Sequence, residues 1–206
     1  DNTFVNPIYP LGGSKFNVSA KFTIPYSLFN NVDYDQLAED REVALEEQDN
    51  AALADIDQQR FNWLEFYKVK FSGEWFNKIW DKLVLRSKIE YGFLGAYNQD
   101  RGVPPFERFF LGGDGLGGFT LDGREVIQLR GYPNQSIMPR SRGGASQSSF
   151  NDGATIYNKY TLELRYPITL KPSASIYALT FLEGGSSYDE FRNFSPFELR
   201  RSAGFG

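Results

Sequence analysis

Three segments hold the residues through which this chain could do chemistry. The first is a glycine-rich run, Phe109-Phe110-Leu111-Gly112-Gly113-Asp114-Gly115-Leu116-Gly117-Gly118, with a formal G-x-G-x-x-G at Gly113, Gly115 and Gly118. That spacing cradles a pyrophosphate when it follows a strand and opens a helix, because the amides then aim at the phosphates. No helical pattern or βαβ unit surrounds it here. The glycines are therefore read as loop positions that permit positive φ and close backbone approach. The second segment is Leu129-Arg130-Gly131-Tyr132-Pro133, whose guanidinium offers a planar fork of donors suited to carboxylates. Taken alone, Arg130 is an ordinary loop arginine. The third segment, Asp33 to Asp57, holds ten acidic residues and one Arg, a net of -9, which leaves +5 for the rest of the chain. A divalent cation or a docking partner could use such a charge. Asp33-x-Asp35 lacks the Gly and the bidentate Glu of an EF-hand loop, however, so the segment is read as a solvated surface insert.

What is missing narrows the chemistry further. The 206 residues contain neither His nor Cys. This removes imidazole and thiolate metal sites, a Cys nucleophile, and every Ser-His-Asp or Cys-His arrangement. No enzyme activity, no metal and no cofactor are expected. A lipase or protease would be left with carboxylates and lysines as its only general bases. A formal net charge of -4 argues against a basic nucleic-acid-binding surface. Aromatic residues make up 17% of the chain while the mean hydropathy is only -0.44, and no apolar run approaches the roughly 18 residues of a transmembrane helix. A polar average with many aromatics fits a transmembrane barrel, whose strands alternate an apolar outer face with a polar lumen. It fits a soluble β-domain as well.

The elements that must position these segments alternate with period two. Phe16, Val18, Ala20, Phe22, Ile24, Tyr26 and Leu28 share one parity of a first strand, opposite Lys15, Asn17, Ser19, Lys21 and Thr23. A second strand sets Tyr67, Val69, Phe71, Gly73 and Trp75 against Lys68, Lys70, Ser72 and Glu74; a third sets Leu83, Leu85, Ile89, Tyr91 and Phe93 against Lys82, Arg86, Lys88 and Glu90. A fourth alternates Ile156, Tyr160, Leu162, Leu164, Tyr166 and Ile168 with Thr155, Lys159, Thr161, Glu163 and Arg165, so Glu163 projects from the polar face. The fifth, from about Ser173 to Gly184, carries bulky residues on both parities, with Tyr177 and Phe181 on the same side as Glu183, and periodicity leaves its faces open. The sixth runs from Phe197 to the end, with Phe197, Leu199, Ala203 and Phe205 outward. Such lengths suit a tilted membrane strand of about 9–11 residues better than the usual soluble strand of about 5–6.

Connections alternate in length. Short turns are expected at Pro10 to Ser14, Asn77 to Asp81 and near Lys171 and Pro172. Long segments run from Asn30 to Arg60 and from Asn98 to Ala154, with a medium loop from Gly185 to Pro196. Tight turns at one rim and long loops at the other describe an up-and-down outer-membrane barrel. Tyr26, Phe29, Phe61, Trp63, Trp75, Trp80, Tyr91 and Tyr97 are expected in its interfacial girdles. Within the acidic insert, Leu37, Ala44, Leu45, Ala52 and Ile56 fall roughly on one stripe, which suggests an amphipathic helix. Six strands do not close a barrel of this kind, which needs at least eight. The sequence also opens at Asp1 without a leader, Asn6 to Pro10 reads as the tail of an earlier strand, and Phe205-Gly206 stops inside an alternating pattern. It is expected to be a fragment.

At the loop motif the sequence resembles the BamA family of outer-membrane protein assembly factors, in whose sixth extracellular loop an aromatic-Gly-Gly segment precedes an Arg-Gly-aromatic tetrapeptide. The residues that carry the likeness are Pro105-Phe106-Glu107-Arg108-Phe109-Phe110, Gly112 and Gly113, and Leu129-Arg130-Gly131-Tyr132. Further blocks follow in the family's order: Leu162-Glu163-Leu164-Arg165-Tyr166-Pro167, Phe181-Leu182-Glu183-Gly184-Gly185 and Leu199-Arg200-Arg201-Ser202-Ala203-Gly204-Phe205-Gly206. The first half matches mainly in architecture. Two departures are conservative: Leu129 stands where a β-branched residue usually precedes the Arg, and Tyr132 replaces the commoner Phe.

The resemblance implies an all-β fold, residues 1–206 forming about six strands of a 16-stranded antiparallel transmembrane barrel in the bacterial outer membrane. Residues 30–60 would be an acidic extracellular insert, and residues 98–154 a long loop folding back into the barrel. It further implies that Arg130 faces Glu163 and Glu183 on the inner wall. The implied function is that of the membrane-embedded core of the machinery that folds and inserts β-barrel proteins. Its partners would be unfolded outer-membrane protein clients, accessory envelope lipoproteins or surface subunits, and outer-membrane lipid. POTRA domains would lie upstream and the closing strands downstream. Two rival readings are a related translocation pore of the two-partner secretion type and a passive porin or adhesin barrel.

Overall fold

The computed structural model describes residues 8–113, 124–139, 153–171 and 174–206. Six strands form one open antiparallel sheet in the order β1-β2-β3-β6-β7-β8: β1 (Gly12–Phe22), β2 (Tyr67–Trp80), β3 (Leu83–Gly95), β6 (Ile156–Lys171), β7 (Ala174–Tyr188) and β8 (Arg200–Phe205). Two short strands inside the long loop, β4 (Phe109–Leu111) and β5 (Glu125–Ile127), pair in parallel as a separate ladder. The β1–β2 connection carries α1 (Tyr34–Glu46) and α2 (Asn50–Phe61). Gly115 and Gly118, the remaining glycines of the phosphate-loop spacing, lie outside the described residues, as do Asn6 and Pro172.

The alternation sorts the two faces of the sheet. Val18 pairs with Phe71 and Phe71 with Tyr91, and Tyr160 and Leu162 continue the same outer surface on β6. Val18, Ile168, Leu182 and Phe205 all stand exposed on that face. The inner face carries Lys68, Lys70, Glu74, Arg86, Lys88, Glu90, Lys159, Thr161, Glu163, Arg165 and Glu183; its charged members pair along and across strands or, for Lys68 and Lys70, with Glu125 of the long loop. The apolar core is not a second layer. Two of its clusters lie between the inner wall and the long loop, where Phe109 of the loop packs with Phe66, Leu94, Ala154 and Tyr157, and Leu111 packs with Leu129 and Ile137; a third packs Tyr9 against Phe76 and Val84.

Several boundaries differ from those the alternation suggests, each for a local reason. β1 ends at Phe22 and not near Leu28, because Pro25 has no N–H to donate and disfavours a regular continuation; Thr23 makes the last bond, N–H to the Phe66 carbonyl, and a 3-10 turn follows at Tyr26–Leu28. Ile8 to Pro10 is bent and not strand. The hairpin expected at Asn77 to Asp81 contracts to two residues, Asp81 and Lys82. β2 runs on to Trp80 with a register shift between Lys78 and Trp80, and Asp81 takes φ 40°. β7 continues to Tyr188, and β8 begins at Arg200 where the alternation suggested Phe197. Two expected girdle residues are mid-strand: Trp75 packs edge-on to Phe16, and Tyr91 edge-on to Tyr160.

The acidic insert is a helical hairpin and not one amphipathic helix. Gln48 turns the chain at φ 55°, and Leu45 of the predicted stripe is exposed while Ala44 is buried. Two of its acids cap the helices. Asp33 accepts from the Gln36 amide at 3.1 Å, and Asp49 accepts from the Ala51 and Ala52 amides at 3.0 and 3.1 Å.

Candidate functional site

Arg130 sits at the turn that follows β5, and the inner wall meets it with charge. Its Nε and Nη2 donate to Glu183 Oε1 at 3.0 and 2.7 Å, and its Nη2 also donates to Glu163 Oε1 at 2.7 Å. The Arg130 backbone amide adds a bond to Glu183 Oε2 at 2.9 Å, so one carboxylate holds both main chain and side chain. Beneath the guanidinium lies the Phe181 ring, 3.7 Å from its centroid to the Arg130 Cζ. Phe181 and Glu183 therefore share the inner face, which answers the ambiguous parity of β7. Burial disfavours the charge on Arg130, but the hydrogen bonds and negative charge of Glu183 and Glu163 outweigh it and raise its pKa above the ordinary value.

The two wall glutamates are nearly inaccessible, 3% exposed for Glu163 and 5% for Glu183. Buried carboxylates persist only when paired and hydrogen-bonded. Glu163 is surrounded by three guanidinium groups, with Arg86 Nη1 at 3.0 Å, Arg165 Nη2 at 2.6 Å and Arg130 Nη2 at 2.7 Å. Glu183 has Arg130, the Thr161 hydroxyl at 3.4 Å and Lys159 at 3.5 Å. Arg165 also lies over the rings of Phe76 and Tyr177, both at 5.4 Å. Sequence reasoning missed Arg86, Arg165, Lys159 and Phe181 as members of this cluster. Their polar parity was visible for all but Phe181; the cross-strand register that brings them to Glu163 and Glu183 was not.

The flanking residues shape the turn. Gly131 takes φ 83°, and a Cβ there would come within 3.2 Å of the Ser202 side chain, so glycine lets the tip approach β8. Tyr132 donates its hydroxyl to the Arg201 carbonyl at 2.9 Å. Leu129 is fully buried against Leu111 and Ile137. Gly112 and Gly113 take φ 118° and 113°; a Cβ on Gly112 would meet the Pro133 carbonyl at 2.6 Å, and one on Gly113 the Asn134 side chain at 2.0 Å. Thus the glycine run lets the outgoing limb of the loop lie directly on the segment after Tyr132. No group of three or more metal-ligating side chains occurs among the described residues. The arrangement is an electrostatic fastening between loop and wall.

A family model described as the Omp85 superfamily domain matches residues 2–206. The chain belongs to the Omp85 superfamily. This Omp85 chain also shares its fold with the crystal structure of BamA from Haemophilus ducreyi lacking POTRA domains 1-3, with a TM-score of 0.58 and 18% sequence identity over 99% of this chain. It spans about a third of that protein, 34% of its length. No curated protein sequence matches it. The open sheet is accordingly part of an outer-membrane barrel: its apolar outer face meets lipid, its charged inner face lines the lumen, and its place is the bacterial outer membrane. Its superfamily serves protein insertion and translocation at that membrane.

Proposed function

We propose that this Omp85 chain is part of the membrane-embedded core of the machinery that folds and inserts β-barrel proteins into the bacterial outer membrane. The observation that carries the reading is the fastening of the Arg130 loop to Glu163 and Glu183 on the lumen wall of a BamA-like barrel. The work needs no covalent catalysis, metal or cofactor. An unfolded client strand would pair with a barrel edge and gain main-chain hydrogen bonds that lipid does not supply. The docked loop would hold the lumen wall in the shape that presents that edge. Partners are unfolded outer-membrane protein clients, accessory envelope lipoproteins or surface subunits, and outer-membrane lipid.

The test places the full-length protein carrying this chain in liposomes and follows the folding rate of a urea-unfolded barrel client. Acceleration over empty liposomes is expected. It should be lost in Arg130→Ala and only partly retained in Arg130→Lys, because an ammonium group lacks the fork that reaches both carboxylates. Ion conductance or export of a soluble partner, with no effect on client folding, would instead favour a translocation pore or passive barrel.

A further inference from the structure

A second charged cluster lies at the root of the same loop, with its polarity reversed. Lys68 of β2 is almost fully buried, with 2% of its side chain exposed. Its Nζ reaches Glu107 Oε2 at 3.0 Å, the Glu107 carbonyl at 2.7 Å and Glu125 Oε2 at 2.7 Å. Glu107 precedes β4 and Glu125 opens β5, so the two carboxylates belong to two separate limbs of the long loop, both running in the same direction toward Arg130. The parallel pairing of Phe109 with Glu125 and Leu111 with Ile127 holds those limbs side by side. The Phe109 ring covers the ammonium group at 4.6 Å; Lys70 makes a direct pair with Glu125 Oε1 at 2.8 Å, and Lys21 adds a looser one to Glu107 at 3.8 Å. Burial works against the charge on Glu125, yet hydrogen bonds and attraction from Lys68 and Lys70 hold its carboxyl below the ordinary carboxylate value.

The strand register gives the distance between the two clusters. Lys68 stands opposite Leu94 near one end of β3, whereas Glu183 stands in the row of Thr161 and Lys88. Six residues of β3 separate those rows, about 20 Å at roughly 3.4 Å per residue. The loop is therefore gripped where it enters the lumen, and its tip is gripped again far below. The swap of polarity also makes the grips selective: root carboxylates meet wall lysines, and the tip guanidinium meets wall carboxylates. A loop displaced along the wall would place like charges together.

From this we infer that Lys68 is a positioning residue that clamps both limbs of the loop to β2 and thereby sets the depth at which Arg130 reaches Glu163 and Glu183. The inference rests on the reading of the loop as a strap inside the barrel, but its test does not require client insertion. Amide hydrogen exchange is measured on the full-length protein in lipid nanodiscs, with Lys68→Met, Glu107→Gln/Glu125→Gln and the triple variant beside the wild type. The Arg130 amide, bonded to Glu183, reports docking on the wall directly, and two amides bonded within the loop, Gly112 to the Ile127 carbonyl and Leu129 to the Gly113 carbonyl, report the order of the docked loop.

Lys68→Met is expected to speed their exchange by about tenfold or more, where tenfold corresponds to about 1.4 kcal/mol. The β6–β7 amides should be unchanged. Glu107→Gln/Glu125→Gln, which alters volume little, should equal or exceed Lys68→Met because it also removes the Lys70 and Lys21 pairs, and the triple variant should add little to the double one because the Lys68 ion pairs are made to these two carboxylates. Wild-type exchange of the loop in both the lysine and the double-glutamine variants would overturn the inference. So would equal acceleration across the β6–β7 wall, which would make Lys68 a general stabiliser of the sheet. Should Lys68→Met fail to give folded barrel, the double-glutamine protein alone decides.

Discussion

Two long excursions leave the same rim of this sheet, and they are held in opposite ways. The acidic hairpin between β1 and β2 is fastened through main chain. Arg101, fully buried at the outer root of the β3–β6 connection, donates to the carbonyls of Glu65 and Trp63 and lies over the rings of Tyr34 and Phe61, while Arg60 of the hairpin donates back to the carbonyls of Asp100 and Arg101. Its own aspartates cap its helices, so its structure depends little on the lumen. The loop between β3 and β6 has a 3-10 turn at Pro105–Glu107 and the three-residue ladder of β4 and β5 as regular structure among its described residues. Apolar packing of Phe109 on the wall gives it adhesion, and wall charges give it register. A backbone carbonyl accepts a bond from any suitable donor, whereas the carboxylate and guanidinium pairs specify which loop residue meets which wall residue. The outer hairpin is thus built for local rigidity, and the inner loop for a defined place.

The sharpest way to break this comparison is at Arg130. Its replacement by Ala leaves Glu163 and Glu183 buried without that partner, a loss of about 3–5 kcal/mol of loop docking by analogy with broken buried pairs. The exchange of the residue-130 amide, bonded to Glu183, should report it, and the hairpin should be undisturbed. The reciprocal variant, Arg101→Met, should loosen the hairpin by about 1–3 kcal/mol for each carbonyl left without a donor. Limited proteolysis between residues 30 and 66 should detect that loosening, with the Arg130 contact to Glu183 at the far end of the β3–β6 loop unaffected.

Acid should separate the two regions further. The carboxyl of Glu125 is depressed in the folded protein, so its contribution to loop docking is fully present above the ordinary value of about 4.3. It is lost as pH falls through the lower folded value. The difference in loop exchange between the wild type and Glu125→Gln should therefore be constant at neutral pH and vanish in strong acid. A difference that grew on acidification would contradict the sign. Smallest of all, Asp49→Ala should cost α2 about 1 kcal/mol through its lost cap. The exchange of the Ala51 and Ala52 amides should show this, with no change at Arg130.

The alternation of side chains makes much of this legible in the sequence. Lys68, Glu163 and Arg165 were assigned to the polar face by period two alone, and the long connections were placed between the right strands. The ends of β1 and β2 were less visible, because Pro25 and the positive φ of Asp81 override a pattern that continues past them. Phe181 shows another limit. Its aromatic ring on a polar parity looks like noise until Arg130 is found stacked upon it. The pairing of Arg130 with the two glutamates entered through family resemblance, since residues 33 and 53 positions apart become neighbours only through the register of β6 and β7. The clamp at Lys68 had no sequence signal beyond a lysine of the right parity, because its partners sit on two separate limbs of one loop.

The comparison is tested most directly by the liposome folding assay run with Arg130→Ala and Arg101→Met side by side in the full-length protein. The account predicts that client folding slows to the empty-liposome rate in Arg130→Ala and stays near wild type in Arg101→Met. Equal activity of the two variants, or a greater loss in Arg101→Met, would contradict the claim that the wall-bound inner loop carries the function.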